Sequence, residues 1–125
     1  MVFHSYELVE ELDRSGADLS AVRTILRFME ANPSIDFGTP GPLVQFVERF
    51  LGYEAALFES LSRQPMDYTV WMLNRLINGT EDPGERARLM TRLEQISMHP
   101  AADADTKERA AEYLEFQRKG GVTGV

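Results

Sequence analysis

Two histidines, His4 and His99, and scattered carboxylates such as Glu10 and Glu11 are the side chains of this chain most able to move protons or hold a metal. Metal binding from a helix asks for two ligands at i and i+3 or i+4, so that both point at one ion; neither histidine has such a partner, and no HExxH run is present. Lying next to Pro100, His99 is expected at a helix end, holding terminal carbonyls rather than a substrate. Cysteine nucleophiles are excluded, because the chain has no cysteine. There is no GxSxG elbow, GxxxxGK[ST] phosphate loop or GxGxxG turn, and the glycines of FGTPGP approximate none of them. Adjacent acids such as Glu10 and Glu11 fit a solvated helix face, and nothing in the sequence places them across a cleft from one another. No enzyme and no cofactor is expected.

Recognition chemistry is better represented. In the segment YTVWMLNRLIN, a helix turning about 100° per residue places Thr69, Val70, Met72, Leu73, Leu76 and Ile77 on one apolar arc. Trp71, Asn74, Arg75 and Asn78, at i, i+3, i+4 and i+7, share the other side. A helix with an apolar back is expected to keep its largest aromatic there, yet Trp71 lies in the polar stripe. Two explanations stand open. Either other helices cover the stripe, with Arg75 stacked on Trp71 and Asn74 satisfying a neighbouring helix end, or the stripe faces a groove where Trp and Arg anchor a partner. Glu7, Glu10 and Glu11 form an acidic face on the first helix that is either simply solvated or a lure for a basic partner. Asp36, in the loop NPSIDFGTPGP, is a further candidate contact.

The elements that must carry these residues read as helices. Val2, Tyr6, Leu8, Val9 and Leu12 fall on one arc that ends at Gly16. Asp18 caps a second helix through Val22, Ile25, Leu26 and Met29, stopped by Ala31-Asn32-Pro33. The loop at 32–42, with three prolines and two glycines, leads to Pro42 and a stripe of Leu43, Phe46, Val47 and Phe50 up to Gly52. Tyr53, Leu57 and Leu61 carry a short helix to Pro65, and Asp67 is expected to cap the next, which stops at Asn78-Gly79. Asp82-Pro83-Gly84-Glu85 has the arrangement of a capping box ahead of Leu89, Leu93 and Ile96. Asp105 and Glu108 repeat that spacing before Ala110, Ala111 and Leu114.

No stretch keeps the strict alternation of a strand. The expected fold is therefore all-α, with about seven helices packed as antiparallel helical hairpins in a HEAT-like array. Residues 1–118 are expected to form a single helical domain, and 119–125 a flexible C-terminal tail. One internal echo supports the array: ESLSRQP at 59–65 is matched thirty-five positions later by EQISMHP at 94–100, with three identities in seven positions. Coincidence is the alternative, but the period lies within the span of about 33 to 47 residues typical of stacked helical hairpins, which present extended surfaces to partners.

Length and composition agree with a globular protein: 125 residues can bury roughly two thirds of their unfolded surface, and 43% of the residues are hydrophobic. The N-terminus lacks a basic region followed by a long apolar run, and no stretch approaches eighteen uninterrupted apolar residues. No membrane association is expected; the absence of cysteine and of a leader fits a cytoplasmic protein. The net charge of −7 is uneven. Residues 1–62 hold ten acids against four arginines, whereas 63–125 hold ten acids against nine bases. Such acidity disfavours direct nucleic-acid binding and favours a basic protein partner.

GTPGPLVQFVERF (38–50), SLSRQPMDYTVWMLNRLIN (60–78) and a capped helix pair ending AAEYLEFQ (110–117) together resemble small all-helical immunity proteins. These belong to bacterial contact-dependent inhibition and other polymorphic toxin systems. The resemblance covers about residues 38–117. It implies HEAT-like packing and a protein that binds and neutralises a cognate toxin domain, commonly a nuclease, in the producing cell. Trp71, Asn74 and Arg75 match the WMLNR part of the pattern. A HEAT-like adaptor or regulatory module unrelated to toxins is the alternative. The oligomeric state is not readable from the sequence.

Overall fold

The structure, a computed structural model, describes residues 18–32, 46–50 and 52–120. Among the described residues it is all-helical and has no strand. Five helices follow in order: α1 (Leu19–Ala31), α2 (Tyr53–Arg63), α3 (Asp67–Gly79), α4 (Pro83–Ile96) and α5 (Ala104–Arg118), with a helical turn over 46–48 between the first two. The chain divides into two compact units, Met1–Ser60 and Leu61–Val125. The helix expected before Gly16, the loop at 33–42 and the residues after Gly120 lie outside the described residues.

In the first unit α1 begins as its sequence requires. Asp18 accepts hydrogen bonds from the Ser20 amide at 3.0 Å and the Ser20 hydroxyl at 2.6 Å, satisfying a donor that no helical carbonyl can reach. These bonds hold the Asp18 carboxyl below the usual carboxylate range. Val22, Ile25, Leu26 and Met29 are all buried at the expected spacing, each such burial contributing about 2 kcal/mol. The helix stops at Asn32, whose side-chain amide donates to the Phe28 carbonyl at 2.8 Å. Arg23 holds Glu59 of α2 with two nitrogens, at 3.2 and 3.1 Å, and the buried Ser60 hydroxyl donates to Glu30 at 2.7 Å. Phe46 and Val47 are buried, Phe46 meeting Phe50 edge-on at 5.0 Å. Gly52, at φ +86°, turns the chain into α2 through a conformation that costs any other residue strain.

In the second unit α3, α4 and α5 each pack against the other two. The Thr106 hydroxyl faces Asp67 at their N-terminal ends, 3.4 Å apart. At the other end Gln117 reaches Asn78, so α3 and α5 run parallel and α4 returns between their ends. That arrangement repeats one helix of a hairpin in register with its counterpart. Val70, Met72, Leu73 and Ile77 from α3 and Leu89, Leu93 and Ile96 from α4 are all buried. From α5 the inner stripe is Thr106, Ala110, Leu114 and Gln117. Ala111, expected inside, is exposed.

Two caps fall elsewhere than expected. Asp67 is the first residue of α3 rather than its cap. The cap position is Met66, which has no side-chain oxygen. Thr69 acts from inside the helix instead, its hydroxyl accepting from the Met66 amide at 3.0 Å and donating to the Met66 carbonyl at 3.1 Å. For α5 the cap is Asp103, two residues before the expected Asp105, because it is Asp103 that reaches the Thr106 amide, at 2.7 Å. Asp82 caps α4 as expected, accepting from Gly84 at 3.1 Å with Pro83 in the first turn. The return half of that capping box comes from Thr80, whose hydroxyl accepts from the Asp82 amide at 3.3 Å. Lys119 and Gly120, expected in a flexible tail, close α5: their amides reach the Glu115 and Gln117 carbonyls at 3.1 Å.

Candidate functional site

The four residues of the α3 stripe separate in the structure. Trp71 is half-buried and Arg75 is exposed, its guanidinium carbon 4.9 Å from the centre of the indole ring. One turn apart on a helix, the two are spaced to stack, and an exposed cation over an indole is stabilised by about 0.5–1 kcal/mol. Asn78 is also exposed. Asn74 is not: only 8% of its surface is accessible, so it is spent inside the fold rather than offered to a partner.

What holds Asn74 inward is Gln117, a residue the periodicity of α3 alone could not supply. The Gln117 amide nitrogen donates to Asn74 Oδ1 at 2.8 Å and to Asn78 Oδ1 at 2.7 Å, using both of its protons. Its side-chain oxygen accepts from Arg86 at 2.9 Å. The same Arg86 nitrogen reaches the Gln117 carbonyl at 3.0 Å, while its other terminal nitrogen lies 3.5 Å from the Ile77 carbonyl. One cation from the first turns of α4 thus serves the carbonyl ends of both α3 and α5, where helix dipoles favour positive charge. No buried side-chain polar atom among the described residues lacks a partner. The signal available in sequence was Gln117 itself, a polar residue three positions beyond Leu114 on the stripe of Ala110 and Leu114.

Beside the Trp71–Arg75 stack, an open groove of about 500 Å³ lies at the corner where α3 passes into α4. Arg75, Leu76, Gly79 and Thr80 form its α3 side. Leu76, expected on the buried arc, is only half-buried, at the edge of the arc that the neighbouring Ile77 keeps inside. Glu81, Asp82 and Glu85 form the opposite rim, all exposed. Asp82 is occupied by its cap; the side chains of Glu81 and Glu85 make no hydrogen bond or ion pair among the described residues. The sequence marked 82–85 as a helix start and carried no sign that the corner was concave.

Glu7, Glu10, Glu11 and Asp36 lie outside the described residues, as does His4. His99 is half-buried and sits at a helix end as expected, its Nε2 2.9 Å from the Ser62 carbonyl and its Nδ1 accepting from the Ala101 amide at 3.0 Å. Among the described residues no three histidine or carboxylate side chains gather into a group that could hold a metal ion, and no helix is long and apolar enough to cross a membrane.

Comparison with protein-family models, curated proteins and solved structures returns no match. The chemistry of the site therefore rests on its own geometry. A stacked Trp and Arg beside a carboxylate-rimmed groove offers aromatic contact area and negative charge, which suit binding a protein surface.

Proposed function

We propose that this chain is an immunity protein, which binds and neutralises a cognate toxin domain, a basic nuclease, in the cytoplasm of the bacterium that produces it. The observation that carries the proposal is the Trp71–Arg75 stack on α3, alongside the groove rimmed by Glu81 and Glu85. Trp and Arg are the residue types that dominate binding energy at protein interfaces, where a half-buried ring held by its neighbour loses little entropy on docking. Supporting it are the net charge of −7, which suits a cationic partner, and the resemblance of PGPLV and WMLNR to immunity proteins. The mechanism is steric: carboxylates speed encounter with the basic toxin, and the packed patch then covers its active site or substrate groove. Asn74, buried by Gln117, supports the patch from within.

Co-expression of the chain with the toxic C-terminal domain encoded immediately upstream tests this, scoring cell survival and co-purification together. Rescue with a stable complex is expected, together with loss of both in Trp71→Ala and Arg75→Ala proteins that keep native circular dichroism. Killing that proceeds unchanged, with no complex, discards the proposal and leaves a helical adaptor for some other protein.

A further inference from the structure

Resting on that reading of the stack as a partner anchor, we infer that the groove at the α3–α4 corner receives an arginine or lysine side chain from a basic segment of the partner protein. Its shape suits such an occupant. The half-buried Leu76 offers an apolar wall for the aliphatic stem, and Gly79 leaves the space beyond its backbone open, since a Cβ built there meets no atom within 4 Å. Long basic side chains bury their methylene stems against such walls while the charged head stays in polar surroundings.

Its charge is complementary too. Two of the three rim carboxylates, Glu81 and Glu85, have no cation of their own among the described residues. Several exposed acids elsewhere in this unit are answered, Glu94 by Arg118 at 3.7 Å, Glu112 by Arg109 at 4.0 Å and Glu115 by Lys119 at 3.0 Å, whereas Asp105 and Glu108 stand alone on α5 among the described residues and do not line the groove. Arg75 enters from the α3 side but is held over Trp71, so it borders the groove rather than filling it. A basic side chain between Glu81 and Glu85 would therefore lie on the far side of Arg75 from the indole, and a single extended segment could engage both stack and groove.

The chain has a single tryptophan, so indole fluorescence reports from the stack, whose Arg75 borders the groove, and the Gly79 amide reports from the groove itself. Titrating the full chain with a hexa-arginine peptide at low salt is expected to give a saturable change in Trp71 emission and a shift of the Gly79 amide resonance. The double variant Glu81→Gln/Glu85→Gln is expected to weaken binding roughly tenfold, the sum of two exposed charge pairs. Gly79→Leu, which places a side chain in the open space without a backbone clash, is expected to weaken it as much while leaving every carboxylate present. The control pair Glu108→Gln/Glu112→Gln, on the outer face of α5, is expected to bind as the parent does. Equal weakening by both acid pairs would reduce the effect to diffuse charge. Undiminished binding by Gly79→Leu, or no shift of the Gly79 amide, would remove the groove as the seat. Toxin rescue separates this outcome from that of the immunity reading: a Gly79→Leu protein that still protects cells overturns the groove alone. A parent chain that binds the peptide but protects no cell overturns immunity alone.

Discussion

The imidazole of His99 lies with Nε2 2.9 Å from the carbonyl oxygen of Ser62, joining the second of the two similar heptads to the first. Ser62 belongs to the last turn of α2, where carbonyls have no helical partner. Because Nδ1 accepts from the Ala101 amide, Nε2 carries the ring proton and donates it to Ser62. One side chain thus closes the end of α2 and shapes the turn after α4. Replacing it with alanine removes both bonds, and His99→Ala is expected to lower stability by about 1–2 kcal/mol. Urea unfolding followed by circular dichroism measures it; a midpoint equal to that of the parent would make the contact incidental.

Gln117 is the residue on which three helices agree. Gln117→Leu is expected to cost about 2–3 kcal/mol, mainly because Asn74, with only 8% of its surface accessible, loses its donor. Asn78 is exposed and can turn to solvent. The double variant Asn74→Leu/Gln117→Leu removes both buried partners at once and is expected to recover part of the loss, so the two single costs should not add. Strict additivity in the cycle would mean that the two side chains act separately.

The extent to which the sequence foretold this structure follows from how far away each partner lies. Asp18 and Asp82 were legible as caps because their bonds close within two residues. Asp103 and Met66 were not: near α5 both Asp103 and Asp105 could have served, near α3 the one acid, Asp67, falls a residue inside, and only the path of the chain into each helix decided the cap. Asn74 shows the same limit on the scale of the fold. Helical angle sets it between Val70 and Asn78, on the margin of the apolar arc, and its burial is decided by Gln117 forty-three positions away. The heptad echo was a true sign of two helix ends, since Leu61 and Ile96 are both buried. Beyond those ends the match lapses, α2 reaching α3 over residues 64–66 and α4 reaching α5 over 97–103. The groove was invisible because concavity belongs to the turn between two helices and not to either one.

The Asp103 cap makes part of the stability depend on pH. Bonds from the Thr106 amide hold the Asp103 carboxyl below the usual carboxylate range, and the group is nearly fully solvated. Folded chains therefore bind fewer protons here than unfolded ones. The contribution is complete above the unfolded value near 4 and is lost as pH falls through the lower folded value. Asp103→Ala is expected to cost about 1 kcal/mol at neutral pH, with the gap from the parent narrowing below about pH 4 as the parent's cap is protonated. Unfolding midpoints at pH 7 and pH 3 check this; a gap that widens on acidification would have the wrong sign.

Gly79 ends α3 without needing to be glycine. Only Gly52 and Gly120 take positive φ among the described residues, so Gly79 has the backbone of an ordinary helical residue, and a Cβ there meets nothing within 4 Å. Glycine in that conformation costs folding because the unfolded chain is freer. Gly79→Ala is accordingly expected to raise stability by about 0.5–1 kcal/mol, visible as a higher thermal midpoint. The methyl group is too small to fill the groove, so the alanine variant should bind hexa-arginine as the parent does while the leucine variant does not. A lower midpoint would mean that the end of α3 requires conformations an L side chain resists. A midpoint that rises while binding falls in step with side-chain size would place the contact surface on Gly79 itself.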